Sequence, residues 1–560
     1  MSTSARRSRY ATMQKERQDH VDAVLASSAP RKIVVAGPGT GKTYLFQKIL
    51  TGQQRTLTLT FVNALVDDLA LKFSGLSEVK TLHAFARQQL QKARGGEDVK
   101  VFPHLPTVMS EDAGVLLSRH VDFEAMFHDK VALNESLEFY RDRRKYYGGH
   151  YGFSDMVYAA VMVFERNRDS IPEYSQVLVD EFQDFNALEV SLIDLLGSRS
   201  PLLLAGDDDQ ALYAAFKGGS TQYIRERDLS PDYERFRLPY CSRCTRVIVD
   251  AANDLISRAR QVGALKDRID KPLRYFESRE KDEDSARNPS VLHGSCYPNQ
   301  IPWFIQTQIE MLARQVRENF SVLVIAPYAK QLRAIVTALR EKGFHNVHYV
   351  KREGIRKPTL LDGLTLLLED SKSNLGWRVA AKALLSASDF QSVLSETAEP
   401  TTAKPLHKIL PREPKAEVKA LLKSLRDVRH NKRPADIEDI NELLELVEVD
   451  PLALATKSLR NRLPPVRQKR PVDHGIRKIP IRATTILSSK GLQADYVFIA
   501  HFDDRYFIRN ADNTTVSDDN ICSFLVALTR AQRRVFLVSS DKTRTPTFLQ
   551  WIKPTRVEQV

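Results

Sequence analysis

The sequence predicts an α/β protein with two parallel-sheet cores, each carrying a mainly helical inserted subdomain. Short apolar, β-rich runs ending in Gly or Asp recur at Lys32–Ala36, Leu57–Phe61, Gln176–Val179, Pro201–Ala205, Ser321–Ala326 and Asp495–Ala500. Helical periodicity lies between them, and that alternation builds parallel strands joined by crossover helices. The runs gather towards the two ends of the chain, whereas 87–175 and 358–479 read as mainly helical.

The first core is therefore expected over 1–86 and 176–236, interrupted by an insertion at 87–175. The second is expected over 237–357 and 480–560, interrupted by a second insertion at 358–479. A chain of 560 residues has length for three or four domains of ordinary size. Its 42% hydrophobic and 27% charged residues exclude a wholly disordered or fibrous protein. No apolar run approaches the roughly 18 residues of a membrane span, and Met1–Arg7 lacks the apolar stretch of a secretory signal. Four cysteines do not make a disulfide framework, so a reducing, cytoplasmic setting with no membrane partner is expected.

Lys and Arg number 83 against 70 Asp and Glu, a net +13 that favours a polyanionic partner. The excess is local: Lys457–Arg482 holds nine basic residues against Asp473 alone, whereas Asp436–Asp450 holds seven acids and no base. The basic stretch reads either as a solvated linker or as a phosphate contact. Arg141–Tyr151 interleaves bases with aromatics, as base stacking requires, and reads equally as a loop folding back on the surface. The charged stretch Glu277–Arg287 is expected to be a loop.

The chemistry concentrates at strand ends. After Lys32–Ala36 comes Gly37-Pro38-Gly39-Thr40-Gly41-Lys42-Thr43, a glycine turn opening a helix, with Ala36 at the first position of the pattern. Such a turn lets backbone N–H groups cradle phosphates at a helix N-terminus. Lys42 then neutralises the β/γ oxygens and the Thr43 hydroxyl reaches Mg²⁺. Val177-Leu178-Val179 ends in Asp180-Glu181-Phe182-Gln183-Asp184, where Asp180 would hold the metal and Glu181 polarise the attacking water. The next run ends Gly206-Asp207-Asp208-Asp209-Gln210, and the neutral Gln210 can sense a γ-phosphate without repelling it. Cys241-x-x-Cys244 with His293-x-x-Cys296 has zinc-ligand spacing, but Arg243 between the first two argues against a cation there.

The order of these motifs resembles the UvrD/Rep/PcrA-like superfamily-1 DNA helicases, from Gln18 to Arg530. The resemblance implies two RecA-like P-loop cores with ATP between them, Mg²⁺ as cofactor, and single-stranded DNA and single-/double-strand junctions as partners. It implies that Gln18 reads adenine. It places DNA contacts at Phe61 and Asn63 in Thr60-Phe61-Val62-Asn63, and at Thr81 and His83 in Thr81-Leu82-His83. Tyr213 and Phe216 in the segment after Gln210 join them, although alignment there needs one extra residue. Ala64 stands where the family has Lys. His83 taken alone reads as a core histidine.

Leu238-Pro239-Tyr240-Cys241-Ser242-Arg243-Cys244 resembles the family's Leu-x-x-Asn-Tyr-Arg-Ser segment, with Arg243 on its Arg and Ser242 where the adenine-stacking Tyr lies. Val526-Ala527-Leu528-Thr529-Arg530-Ala531 resembles the Thr-Arg-Ala motif, making Arg530 the second γ-phosphate arginine. Thr485–Asp495 resembles the remaining DNA- and nucleotide-contacting motif, which implies a DNA contact for Lys490 and a ribose contact for Gln493. Leu487 and Gln493 replace its usual His and Glu.

The favoured reading is an ATP-dependent helicase or translocase, 3′ to 5′ by resemblance, in repair, replication restart or phage–host conflict. A second is a DNA-gated ATPase that regulates a separate nuclease or repair partner, which the reduced 358–479 insertion and the altered Leu487 and Gln493 keep open. A P-loop kinase or metabolite-linked ATPase leaves Phe182-Gln183-Asp184 and the paired arginines unexplained.

Overall fold

A computed structural model describes residues 3–60, 63–129, 135–212, 219–316, 318–350, 357–399, 402–429, 479–508 and 516–560. The chain divides into two compact units, one of 1–85, 164–353 and 472–560, the other of 86–163 and 354–471.

The first unit holds two parallel sheets. One comprises β1 (Arg31–Ala36), β2 (Thr56–Thr60), β3 (Glu78–Thr81), β4 (Gln176–Val179), β5 (Leu202–Gly206) and β6 (Glu234–Leu238) in the order β3-β2-β4-β5-β1-β6. The central strands β4 and β5 are buried along their whole length, which is why they read as unbroken apolar runs rather than alternating ones. The register pairs Val35 with Gly206 and Val179 with Leu204. The C-terminal ends of β1, β4 and β5 therefore lie side by side at the edge where doubly wound sheets take ligands. The short pair β7 (Tyr240–Cys241) and β8 (Arg274–Tyr275) follows.

The second sheet comprises β9 (Val291–Ser295), β10 (Val322–Ala326), β11 (Val347–Tyr349), β12 (Ile481–Thr485), β13 (Ala494–Ala500), β14 (Ala531–Ser539) and β15 (Val557–Gln559), ordered β11-β12-β10-β13-β14-β9-β15. Its side chains sort between two cores with period two. Leu323, Ile325, Val497, Ile499, Val535 and Leu537 enter one. Val322, Val324, Tyr496, Phe498, Phe536 and Val538 enter the other.

All six runs read as strands in the sequence are strands, with ends displaced by at most one residue. The sequence reading did not single out β14. It is buried through Val535–Ser539 but opens on half-buried Gln532-Arg533-Arg534, which breaks the apolar run. Glu277–Arg287, expected as a loop, is largely a helix, Arg279–Arg287. The Ser278 hydroxyl caps it by accepting from Lys281 N, and Arg279 pairs with Glu283 one turn on at 3.0 Å. Capping and charge pairing form this helix without an apolar stripe.

The second unit is helical, with Leu105–Leu116, Glu135–Tyr146, Leu360–Glu369 and Asn374–Leu384 among its helices. At its centre Asp112 accepts from Arg143 Nη2 and Arg378 Nε, both at 2.9 Å, and from the Tyr147 hydroxyl. Arg143 also donates to the Thr397 carbonyl at 2.8 Å. Base stacking by the Arg141–Tyr151 stretch is therefore corrected in part, because Arg143 and Tyr147 are buried in this network. Most of the acidic and basic stretches from Asp436 to Arg482 lies outside the described residues.

Candidate nucleotide site

The phosphate loop leaves β1 at Ala36 and enters the helix Lys42–Leu50. Gly39 (φ 69°) and Gly41 (φ 101°) take left-handed backbone that favours glycine. Gly39 has a second constraint: a Cβ there would clash with Arg243 Cβ and lie 3.2 Å from Cys241 Sγ. The Gly39 carbonyl accepts from Ser242 N at 3.0 Å. The arginine-bearing segment is thus docked on the phosphate loop itself. Thr40 closes the turn by donating to the Gly37 carbonyl at 2.9 Å.

At the end of β4, Glu181 adopts the left-handed region (φ 55°), backbone strain of the kind that collects at functional sites. Its carboxylate lies 3.6 Å from both Lys42 Nζ and Lys490 Nζ and accepts from Gln183 Nε2 at 2.6 Å. Burial opposes its ionisation, but the two ammonium groups and the Gln183 amide win and hold it well below the usual carboxylate range. Asp180 goes the other way: burial, then the neighbouring Glu181 charge, push it up to about 6. The half-buried Thr43 hydroxyl and the Asp180 carboxylate are hard oxygen donors of the type magnesium takes. An under-neutralised buried carboxylate fits such a cation.

Gln183 also joins the next strand end, because its Oε1 accepts from Asp207 N at 3.0 Å. Asp207 Oδ2 accepts from Gln210 Nε2 at 2.6 Å. Arg530, between the helix Asp518–Leu528 and β14, donates through Nη2 to Gln210 Oε1 at 2.9 Å. Burial and then the neighbouring Arg243 charge lower Arg530 to about 9. Lys42 and Arg530 thus both act on Glu181 and Arg243 acts on Arg530, beside a glycine turn that opens a helix, an arrangement suited to a polyphosphate.

The remaining expected residues are placed as follows. Gln18 is exposed on the helix Thr3–Ala26 and donates to Asp22 at 2.7 Å. Tyr240, two residues before the Ser242 that stands at the family's adenine-stacking position, is 2% exposed with its hydroxyl on Glu16. Tyr44, immediately after Thr43, is instead 39% exposed, with the Arg17 guanidinium 5.9 Å from its ring centre. Thr81 caps the helix Leu82–Ala93 by accepting from Ala84 N at 3.1 Å, and His83 Nε2 lies 3.7 Å from Glu189. Gln493 is exposed.

Lys490 departs from the expected DNA contact. It is 1% exposed and donates to Asp184 Oδ2 at 2.6 Å and the Gln210 carbonyl at 2.7 Å, so its charge faces the nucleotide-site carboxylates. Phe61, Tyr213, Phe216 and the Asn63 side chain lie outside the described residues. His293 is engaged by Gln559 and Ser539 at 2.8 and 2.9 Å, which leaves the zinc spacing without its histidine.

Residues 20–216 match the AAA domain family, and residues 382–542 match the UvrD-like helicase C-terminal domain. The chain belongs to the UvrD/PcrA-like superfamily-1 helicase family. Among its UvrD-like relatives, YjcD of Bacillus subtilis strain 168, which carries an ATP-dependent DNA helicase name, is 29% identical over 155 residues. That stretch is 25% of this chain and 20% of the relative. DNA helicase II of Haemophilus influenzae is 31% identical over 110 residues, and ATP-dependent DNA helicase PcrA of Staphylococcus aureus 32% over 111. Each of these covers 19% of this chain and 15% of the relative. The matches therefore span at most a fifth of the relatives' length.

Sequence reasoning missed Lys271 and Arg268, which meet the acidic run Asp207–Asp209. Lys271 Nζ lies 3.0 Å from Asp207 and 3.1 Å from Asp209, and also bonds Asp208. Arg268 Nε donates to Asp209 at 2.8 Å. The signal was the run itself, since three consecutive acids at a buried strand end require cations.

Proposed function

We propose that this UvrD-like chain is a DNA-dependent ATPase that converts ATP hydrolysis between its two parallel-sheet cores into movement along single-stranded DNA. The observation that carries it is the Arg530–Gln210 bond, which joins a residue immediately before β14 to one in the turn after β5. Lys42 neutralises the β/γ oxygens of ATP. Glu181, held ionised, accepts a hydrogen bond from the attacking water and orients it. Gln210 reports the γ-phosphate to Arg530, and Arg243 adds positive charge where negative charge develops. Thr43 and Asp180 would hold Mg²⁺, which supplies charge neutralisation of the phosphates. Tyr44 and Arg17 offer the nucleobase a ring and a planar cation in place of the residue replaced by Ser242.

Loss of the γ-phosphate removes the ligand that Arg243 and Arg530 share with Lys42, and that loosens one core from the other. Movement on the strand follows from this cycle, 3′ to 5′ by likeness to the family. The family likeness and the chain's net +13 support DNA as the polyanion.

The test is ATP hydrolysis with and without single-stranded DNA by the wild type, Lys42→Ala and Arg530→Ala. Strong DNA stimulation lost in both variants is expected, and strand-displacement polarity then follows. Turnover that ignores DNA and survives Arg530→Ala would overturn the motor reading. DNA-stimulated turnover with no unwinding unless a nuclease is added would favour a regulatory subunit instead.

A further inference from the structure

Three adjacent carboxylates, Asp207, Asp208 and Asp209, are each at most 6% exposed at the end of β5. Three acids in that position repel one another and cannot reach water, so something must neutralise them. Arg225, on the helix Thr221–Leu229, reaches Asp208 at 3.3 Å, and the other cations come from a segment anchored on the second sheet's core. Lys271, itself 7% exposed, sets its ammonium among all three, and Arg268 takes both oxygens of Asp209 at 2.8 and 2.9 Å. The chain before them is fixed by Leu265, which packs in the second sheet's core and donates its N–H to Asp518 at 2.8 Å. Between the two cations, Ile269 N donates to Asp208 at 2.9 Å.

What the ammonium holds is the hub of the nucleotide site. Asp207 offers Oδ1 to Lys271 and Oδ2 to the Gln210 amide, while its N–H is held by Gln183, whose own amide holds Glu181. Gln210 can present Oε1 to Arg530 only while its Nε2 end is fixed on Asp207. If the ammonium is taken away, Asp207 either rotates from its neighbours or takes up a proton. Rotation takes away the acceptor that aims Gln210, and protonation weakens it.

We propose that Lys271 is a positioning residue for ATP hydrolysis, which ties the aim of Gln210, and through Gln183 that of Glu181, to contact between the two cores. The proposal rests on the ATPase reading above. When the cores separate, Lys271 and Arg268 leave with the second one and Asp207 and Asp209 lose their paired cations, while Arg225 stays on Asp208, so the hydrolytic geometry exists only in the closed arrangement. Lys271 acts through Asp207, whose Oδ1 lies 3.0 Å from its ammonium.

The test compares full-length wild type, Lys271→Ala, Lys271→Arg and Asp207→Asn in DNA-stimulated ATP hydrolysis. For Lys271→Ala, kcat should fall roughly 10- to 100-fold, the scale of losing one aimed polar group, while KM for ATP stays within about threefold. Ethylammonium at tens of millimolar should restore at least several-fold of the lost kcat in Lys271→Ala and none in Asp207→Asn. Lys271→Arg should retain an intermediate kcat. The Lys271→Ala/Asp207→Asn double variant should be no slower than the worse single one, because both act through one contact.

An unchanged kcat in Lys271→Ala, a rise in KM alone, or multiplying losses in the double variant would overturn the proposal. If Lys271→Ala does not fold, Asp207→Asn, which relieves the acidic crowding, still decides: wild-type kcat in that variant overturns it. A wild type that hydrolyses no ATP refutes the parent reading instead, so the two failures are distinguishable.

Discussion

Arg530, immediately before β14 of the second sheet, donates through Nη2 to Oε1 of Gln210, in the turn after β5 of the first, across 2.9 Å. Gln210 is oriented from its other end by Asp207, so the two residues form one hydrogen-bonded path between sheets. Removing either end should have the same consequence. Arg530→Ala and Gln210→Ala are each expected to lower kcat about 100-fold with KM for ATP little changed, and the double variant should be no worse. Steady-state kinetics of the three decide it. Arg530→Lys should not rescue, because an ammonium lacks the fork that serves glutamine and phosphate together.

Gly39 is the narrowest point of the site. Its φ of 69° and its clash with Arg243 Cβ leave no room for a methyl group. Gly39→Ala should push the 240–244 segment off the phosphate loop and abolish hydrolysis, while the circular-dichroism spectrum stays that of the wild type. Activity within tenfold of the wild type would show that the docking of Arg243 on the loop is dispensable.

Tyr44 and Arg17 give a base-sized platform beside the loop. Tyr44→Ala should raise KM for ATP about 5- to 10-fold, the worth of one stacked ring, with kcat unchanged. Tyr44→Phe should behave as wild type. Equal KM values in Tyr44→Ala and wild type would assign the base elsewhere.

In the helical unit, Asp112 neutralises two buried arginines at once. Breaking a buried pair by deleting one partner costs about 3–5 kcal/mol, because a charge is stranded without water. Asp112→Ala should therefore lose that much in denaturant unfolding and open residues 86–163 to protease. A loss under about 1 kcal/mol would mean that water replaces the carboxylate.

Asp155, also in the helical unit, gives a pH dependence of known sign. Burial raises its carboxyl to about 7, against the pull of Arg144, the Gly152 N–H and Tyr140. The folded state then holds its proton more tightly than the unfolded chain, so stability declines as pH rises from about 4 to about 7. Asp155→Asn removes that decline. Relative to wild type it should gain on the order of 2–4 kcal/mol at pH 8 and little at pH 4.5, from about three pK units at 1.36 kcal/mol each. Unfolding curves at both values test it, and an equal gain at both would refute it.

The sequence by itself determined the parallel-sheet class and the phosphate loop with its two acidic strand ends. Each of these is local, a run of apolar residues followed within a few positions by glycine, acid or amide. Arg243 and Arg530 were legible only through motif likeness, since a lone arginine carries no period. Tertiary structure alone decided what the charges do. Lys271 and Arg268 lie some sixty residues from the acids they neutralise, and nothing in their own neighbourhood announces it. Tertiary structure also turned Lys490 towards Asp184 and buried Arg143 on Asp112. Strand and turn preferences are written along the chain, whereas the partner of a buried charge is whichever opposite charge the fold brings within about 3 Å after both have lost their water.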